Sequence, residues 1–127
     1  NTLAQIHAVA RENECQLVLS TFFTKYRRDQ RRQSQIQNAD VAFYYMPWMG
    51  IEQLLDGVEL YNSAIIGYAN SNDLPVIREC DSIPADESHF IDCMHLTDKG
   101  CEQMARRFAS FLIDENIVVQ NVVANDQ

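Results

Sequence analysis

Basic residues are scarce in this sequence, and long apolar runs are missing. The 127 residues include 10 Lys and Arg against 18 Asp and Glu, which gives a formal net charge of -8. Because nucleic-acid binding relies on Lys and Arg to neutralise phosphates, this balance argues against a general nucleic-acid partner. No apolar run approaches the roughly 20 residues that a membrane-spanning helix needs. The sequence therefore predicts neither a nucleic-acid binder nor a membrane span.

Paired cysteines and an N-terminal Met are also missing. The four cysteines form no Cys-x-x-Cys pair, and a chain with 46% apolar residues can build a core without disulfides. We therefore expect free, partly buried thiols at Cys15, Cys80, Cys93 and Cys101. The chain opens directly in a helical pattern, with no signal sequence before it. We take this start to indicate a fragment, and the sequence leaves the localisation open.

Two apolar segments flank a long amphipathic stretch. Residues 15–23 (CQLVLSTFF) form a run typical of a strand buried on both faces, and residues 74–80 (LPVIREC) predict a second strand at about 75–79. Between them, residues 51–70 carry apolar side chains at spacings of three and four, which predicts a helix. Another amphipathic helix is predicted over residues 2–13. The order predicts a right-handed βαβ unit within an α/β fold.

Residues 24–50 differ in composition and are expected to form a variable loop or insertion. Four arginines lie within six positions, at Arg27, Arg28, Arg31 and Arg32. They could form a mobile flap or an anion-contacting loop, but charge clusters more commonly form a solvated face, and we favour that interpretation. Residues 43–50 (FYYMPWMG) could line a pocket for an apolar or sugar-like group or could pack on the sheet. Their candidate substrate-binding residues are Tyr44, Tyr45 and Trp48.

Residues 90–100 (FIDCMHLTDKG) place an Asp and a His three positions apart, before a helix predicted over about 98–115. In a turn, Asp92 can accept a hydrogen bond from one ring nitrogen of His95, while the other nitrogen stays free for a hydroxyl. The helix N-terminus disfavours a charged imidazolium and Asp92 favours it, so His95 is suited to general-base catalysis. Thr97 is the expected N-cap. The expected buried face of the helix consists of Cys101, Met104, Ala105, Phe108, Phe111 and Leu112.

The stretch FIDCMHLTDKGCEQMARRFASFL, residues 90–112, resembles the final sequence block of the SGNH hydrolases, also called the GDSL esterase/lipase family. In that block, Asp-x-x-His-Leu-Thr-x-x-Gly precedes the last helix. The order of the preceding segments is also similar, with a helix carrying Tyr61-Asn62 ahead of the strand residues 74–77. The resemblance spans most of the chain, and residues 24–50 are its less typical part. The matching residues are Asp92, His95, Leu96, Thr97 and Gly100, with Ala105 and Phe108 in the helix.

The resemblance implies a three-layer α/β/α fold with a mostly parallel sheet, like that of flavodoxin. Residues 1–127 would be the incomplete C-terminal part of one such domain, with residues 117–127 as a tail that could add an edge strand. It also implies hydrolysis of a carboxylic ester by a serine, with His95 as general base and Asp92 orienting it. No metal or organic cofactor is expected. The substrate would be a small-molecule, lipid or acylated-carbohydrate ester.

Other blocks of that family are absent from the sequence. No Gly-Asp-Ser is present, and the segment at 70–73 (NSND) lacks the glycine of the oxyanion block and is typical of a helix end. We therefore expect the nucleophile and the oxyanion hole to lie upstream of Asn1, and the 127 residues alone to lack serine-hydrolase activity. None of the seven serines has the family setting: Ser20, Ser34, Ser63, Ser71, Ser82, Ser88 and Ser110.

The sequence is also compatible with two other classes of function. A non-catalytic α/β binding module could keep the same fold without the reaction. A metal site could be built from Cys and His residues between positions 80 and 101, although their spacing matches no common zinc module. Its candidate ligands are Cys80, His89, Cys93, His95 and Cys101, of which His89 is expected to be an ordinary loop residue.

Overall fold

The computed structural model describes residues 2–78 and 83–118, and these ranges contain five helices and two short strands. The predicted helices over 2–13, 51–70 and 98–115 are confirmed. The described part of the chain is a mixed α/β structure in which helices predominate. The elements in chain order are α1 (Thr2–Glu12), β1 (Leu19–Ser20), α2 (Arg32–Asn38), α3 (Asp40–Tyr45), α4 (Ile51–Ser71), β2 (Val76–Ile77) and α5 (Asp98–Asp114).

The two strands pair in parallel, as the βαβ pattern predicts. Leu19 lies opposite Val76, and Ser20 lies opposite Ile77. One further backbone hydrogen bond continues the ladder, from the amide of Thr21 to the carbonyl of Ile77 at 2.9 Å. Both strands are shorter than predicted, since β1 covers only two of residues 15–23. An apolar run gives the tendency to form a strand, but the length of a strand is set by the partner that it finds.

Helix α4 connects the two strands and carries the main core. Leu54 and Leu55 on one side, and Ile65 and Ala69 further along, are almost fully buried. Near its middle, the side chain of Asn62 accepts from the amide of Phe22 and donates to the carbonyl of the same residue, both at 2.7 Å. This pair of bonds fixes the chain directly after β1. No helix among the described residues, α4 included, is both long enough and apolar enough to cross a membrane.

The segment 24–50, predicted as a loop or insertion, contains the two short helices α2 and α3. Three of its four arginines are bound to other residues rather than simply solvated, namely Arg27, Arg28 and Arg32. Arg28 forms ion pairs of 3.0 and 2.5 Å with Glu52 and Asp56 on α4, and the hydrogen bonds that it donates to Glu59 and Asp56 raise its pKa. Arg32 also pairs with Glu52. The cluster therefore ties the segment to the acidic side of α4.

Helix α5 differs from its sequence-based prediction in burial. Of its 17 residues only Gly100 is buried, whereas Cys101 and Ala105, expected on a buried face, are exposed. The remaining members of that face, Met104, Phe108, Phe111 and Leu112, are partly exposed. The amphipathic pattern predicts an apolar face, but the burial of that face depends on which other elements pack on it. The possible edge strand at 117–123 lies largely outside the described residues.

Candidate active site

The segment before α5, residues 90–96, forms a tight loop whose two ends are paired with each other. Phe90 and Leu96 form an antiparallel bridge, and the amide of Ile91 donates to the carbonyl of His95 at 2.8 Å. At the tip, the side chain of Cys93 is fully buried in the core. Its carbonyl accepts from the amide of Lys25 at 2.8 Å. The loop is therefore held both by its own backbone and by the segment after β1.

Asp92 and His95 lie on this loop and form the hydrogen bond expected from their spacing. Nδ1 of His95 lies 2.7 Å from Oδ2 of Asp92. Because an ionised carboxylate can only accept, the ring must donate from Nδ1, and this leaves the lone pair of a neutral ring on Nε2. The side chain of His95 is 71% exposed and that of Asp92 is 21% exposed. Among the described residues, no side chain occupies Nε2 of His95. The ring is thus oriented on one side and open on the other.

The carboxylate of Asp92 is held in its charged form by several donors. Burial works to raise its pKa, but the hydrogen bonds from the His95 ring and from the amides of Met94 and His95 outweigh that effect and lower the pKa to about 2. Both amides bind Oδ1 at 2.8 Å. Asp92 therefore fixes both the backbone of the turn and the orientation of the imidazole, which is the arrangement that a general base requires.

A second Asp-x-x-His turn directly precedes the first, and sequence reasoning missed it. Nδ1 of His89 lies 2.8 Å from Oδ1 of Asp86, and the hydroxyl of Ser88 donates to the same oxygen at 2.7 Å. Unlike His95, His89 is buried, with its side chain only 7% exposed. The hydrogen bonds with His89 and Ser88 lower the pKa of Asp86 to about 2. The repeated spacing, Asp86 to His89 and Asp92 to His95, was the available signal.

The N-terminus of α5 packs directly on these turns. Thr97 is the N-cap, as predicted, and its hydroxyl oxygen accepts from the amide of Gly100 at 3.2 Å. A Cβ at position 100 would lie only 2.2 Å from the carbonyl oxygen of His89, so the close approach requires glycine. The Leu-Thr-x-x-Gly part of the motif therefore has a structural role, because it lets the helix begin against the loop.

A polar cleft of about 660 Å³ opens beside Asp92. It is lined by hydrogen-bond donors and acceptors, including Lys25, Asn38, Asp40 and Glu87. Within the described part of the chain, Lys25, Asp40 and Glu87 form no salt bridges. Unpaired charged groups in a cleft are able to bind a polar ligand. The cleft lies between α3 and the loop that carries Asp92.

The predicted aromatic substrate-binding residues lie on and after α3. Tyr44 is 80% exposed and Trp48 is 77% exposed, and Tyr45 packs edge-on against Tyr44 with 5.1 Å between ring centroids. None of the three lines the polar cleft. Tyr44 lies one helical turn beyond Asp40, on the same side of α3, so it adjoins the cleft wall. The three predicted residues are thus exposed and form no pocket wall, and Tyr44 is the one placed beside the cleft.

An apolar groove of about 370 Å³ runs along α4 and is separate from the polar cleft. Its lining includes Phe22, Tyr26, Met46 and Met49, and it contains neither Asp92 nor His95. Tyr26, which lines the groove, belongs to the same buried cluster as Cys93. Burial, with a smaller effect of Cys93, raises the pKa of Tyr26.

The Cys and His residues considered as metal ligands are distributed over different environments. His89 and His95 each bind their own Asp, and Cys93 is buried in the core, whereas Cys101 is exposed. In residues 2–78 and 83–118, no three His, Cys, Asp or Glu side chains are grouped in a way that could hold a metal ion. Cys80 lies outside these ranges. The cysteines that the structure describes, Cys15, Cys93 and Cys101, are free thiols.

Comparisons with known proteins add no family to this description. No protein-family model matches the chain, and no curated protein and no solved structure matches it either. Conclusions about function therefore rest on the geometry of the loop and on the motif that it carries.

Proposed function

We propose that this chain supplies the base of an SGNH-type serine ester hydrolase. The observation that carries the proposal is the Asp92–His95 pair, with its 2.7 Å hydrogen bond through Nδ1 and an exposed ring that is open at Nε2. A general base must be oriented by a second group and accessible to a nucleophile, and His95 meets both conditions. The motif around the pair supports the family, because Thr97 and Gly100 have clear structural roles in presenting it.

In the proposed reaction, a serine upstream of this chain attacks the ester carbonyl. Nε2 of His95 takes the hydroxyl proton as the serine oxygen bonds to the carbonyl carbon, and Asp92 stabilises the imidazolium that forms. His95 then gives the proton to the leaving alkoxide as the ester bond breaks. Water, activated by the same nitrogen, releases the acid from the acyl-enzyme. Donors outside this chain would stabilise the oxyanion, and no metal or organic cofactor is needed.

The fold that we propose for the whole domain is a three-layer α/β/α arrangement with a mostly parallel sheet. The parallel pair β1–β2 and the connecting helix α4 would form one βαβ unit of that sheet. The exposed apolar residues on α1, such as Ile6 and Val9, and the partly exposed face of α5 would be covered by the remaining layers. Residues 1–127 would then be the C-terminal part of the domain.

Among the three substrate classes that the sequence left open, an acylated carbohydrate fits best. The cleft that contains Asp92 is polar, and the carboxylates of Asp40 and Glu87, which form no salt bridge among the described residues, can accept hydrogen bonds from sugar hydroxyls. The exposed ring of Tyr44 at its rim offers a face for stacking on a sugar ring. A lipid ester would need an apolar channel beside the base, and the apolar groove contains no residue of the pair.

Covalent labelling of the full-length protein with a fluorophosphonate probe tests the proposal. We expect labelling of a serine outside these 127 residues, and a decrease of at least about 100-fold in labelling rate for His95→Ala, the range typical of general-base catalysis. His7→Ala is the matched control, because His7 binds Tyr68 on α4 and is not part of the loop. Unchanged labelling of His95→Ala would refute the assigned role of His95.

Two further results distinguish the parts of the proposal. If the full-length protein takes up no probe, the alternative of a non-catalytic α/β binding module is favoured. If labelling occurs, Glu87→Gln should lower kcat/KM for an acetylated sugar while leaving that for p-nitrophenyl acetate unchanged. An equal effect on both esters would contradict the assignment of the polar cleft to the sugar.

A further inference from the structure

The turn at residues 86–89 is organised by one carboxylate. Oδ1 of Asp86 accepts hydrogen bonds from the amide of Ser88 at 2.9 Å, from its hydroxyl at 2.7 Å and from the amide of His89 at 3.2 Å. The ring of His89 completes the set at 2.8 Å. Because this ring is buried, loss of its hydrogen bond would leave a polar group poorly satisfied, and the turn would have to rearrange.

Two backbone carbonyl groups of this turn accept hydrogen bonds from Thr97, which lies shortly after the loop that carries Asp92 and His95. The hydroxyl of Thr97 donates to the carbonyl of Ser88 at 2.6 Å, and the amide of Thr97 donates to the carbonyl of His89 at 3.0 Å. Thr97 is two residues beyond His95, and it is also the N-cap of α5. Consequently the 86–89 turn determines where one end of the Asp92–His95 loop and the first turn of α5 are placed.

The two Asp-x-x-His turns therefore differ in exposure and in what they can do. His95 is exposed and open at Nε2, whereas His89 is buried and its Nδ1 is directed at Asp86. Ser88 is not placed as a nucleophile for His89, because its hydroxyl lies 2.9 Å from the same Nδ1 that faces Asp86. A triad would need the serine at the opposite nitrogen.

We infer that Asp86 and His89 are positioning residues, which hold the Asp92–His95 pair in the geometry required for catalysis by fixing Thr97. This role rests on the proposed function, since the pair needs such positioning only if it reacts. The coupling between the two turns is nevertheless a property of the 127-residue chain. It can be measured without a nucleophile or a substrate.

Nitrogen-15 NMR of the three histidines in the 127-residue chain, at alkaline pH, measures the coupling. A neutral His95 bonded to Asp92 through Nδ1 must be the Nδ1–H tautomer, and an imidazole freed from that bond loses the preference. Asp92→Ala gives the reference signal for the loss. His7→Ala is the matched control, because it removes a histidine that bonds to Tyr68 and not to the loop.

Two pairs of variants separate the hydrogen bonds from the volume of the side chains. His89→Phe fills the buried space without a donor, whereas His89→Asn keeps an N–H group close to the position of Nδ1. Asp86→Ala removes the acceptor, whereas Asp86→Asn keeps an oxygen for the backbone amides. We expect loss of the Nδ1–H signal of His95 in His89→Phe and Asp86→Ala, and its retention in the conservative partners His89→Asn and Asp86→Asn. Far-UV circular dichroism checks that the helices persist.

Each outcome of the NMR experiment either supports or contradicts the positioning role of Asp86 and His89. Retention of the Nδ1–H signal in both His89→Phe and Asp86→Ala would overturn the positioning role. Loss of the signal in His89→Asn as well would contradict the hydrogen-bond route. If Asp86→Ala does not fold, the comparison of His89→Phe with His89→Asn decides alone. Failure of fluorophosphonate labelling would refute the hydrolase and leave this NMR result unaffected, so the two proposals fail separately.

Discussion

Replacement of Gly100 by Ala tests the packing that presents the candidate base. The added Cβ would lie 2.2 Å from the carbonyl oxygen of His89, and real Cβ contacts essentially never fall below 3.0 Å. Helix α5 and the 86–89 turn would therefore have to separate by roughly 0.8 Å, the difference between these distances. The separation would stretch both hydrogen bonds that Thr97 makes to that turn, which are 2.6 and 3.0 Å long.

The expected loss of stability follows from these contacts. Overpacking of a tight site costs about 1–3 kcal/mol, and each weakened hydrogen bond adds roughly 0.5–1.5 kcal/mol. Ala is favoured over Gly within a helix by up to about 1 kcal/mol, which acts in the opposite direction. The steric terms are larger, so we expect Gly100→Ala to lower the free energy of unfolding by about 2–3 kcal/mol.

Two glycines in α4 provide matched controls with the opposite sign. A Cβ at Gly57 or Gly67 would meet no atom within 4 Å. Both residues lie inside a helix, where replacement of Gly by Ala stabilises by roughly 0.5–1 kcal/mol. Urea denaturation of the three variants, followed by far-UV circular dichroism, measures the differences. If Gly100→Ala proved as stable as the wild type, the close approach of α5 to His89 would be refuted.

Two further predictions concern the electrostatics of the loop and the chain after β1. The pKa of Asp92 is about 2 in the folded chain against an ordinary 3.8, so its contribution to folding stability is present above about pH 4 and is lost as the pH falls toward 2. Asp92→Asn should remove about 2 kcal/mol of this pH-dependent stability. Urea denaturation across that pH range measures the loss, and an unchanged acid dependence would contradict the assigned pKa. Asn62→Ala removes both hydrogen bonds to the backbone of Phe22 and should lower the free energy of unfolding by about 1–3 kcal/mol. Asn70→Ala, at an exposed site near the end of the same helix, should change it by less than about 0.5 kcal/mol; equal effects of the two would show that the Phe22 bonds contribute nothing.

Local interactions made much of the candidate site predictable from the sequence. The Asp92–His95 hydrogen bond joins residues three apart, and the Thr97 cap bonds to Gly100 three positions later. Neighbours in the chain settle such contacts, so their residue types and spacing are sufficient to predict them. The helices α1, α4 and α5 were predictable for the same reason, because their apolar residues recur with helical periodicity.

The second Asp-x-x-His turn, from Asp86 to His89, could not be interpreted from local sequence alone. Asp86 and His89 have the same spacing as Asp92 and His95, but nothing in the local sequence indicates that one histidine is buried and the other exposed. That difference depends on the packing of α5 against the turn. The predicted substrate-binding residues are a similar case, because Tyr44, Tyr45 and Trp48 are exposed and do not line the cleft, whereas charged residues from three segments do.

The sequence by itself determined the helices α1, α4 and α5, the order of the βαβ unit and the pairing of Asp92 with His95. Only the tertiary structure decided that the two paired strands extend over two residues each, that Arg28 binds the acidic side of α4, and that position 100 has no room for a side chain. The physical reason is the range of the interactions involved. Hydrogen bonds within a turn and helical periodicity are local, whereas strand length, ion pairing and close packing depend on residues brought together from distant parts of the chain.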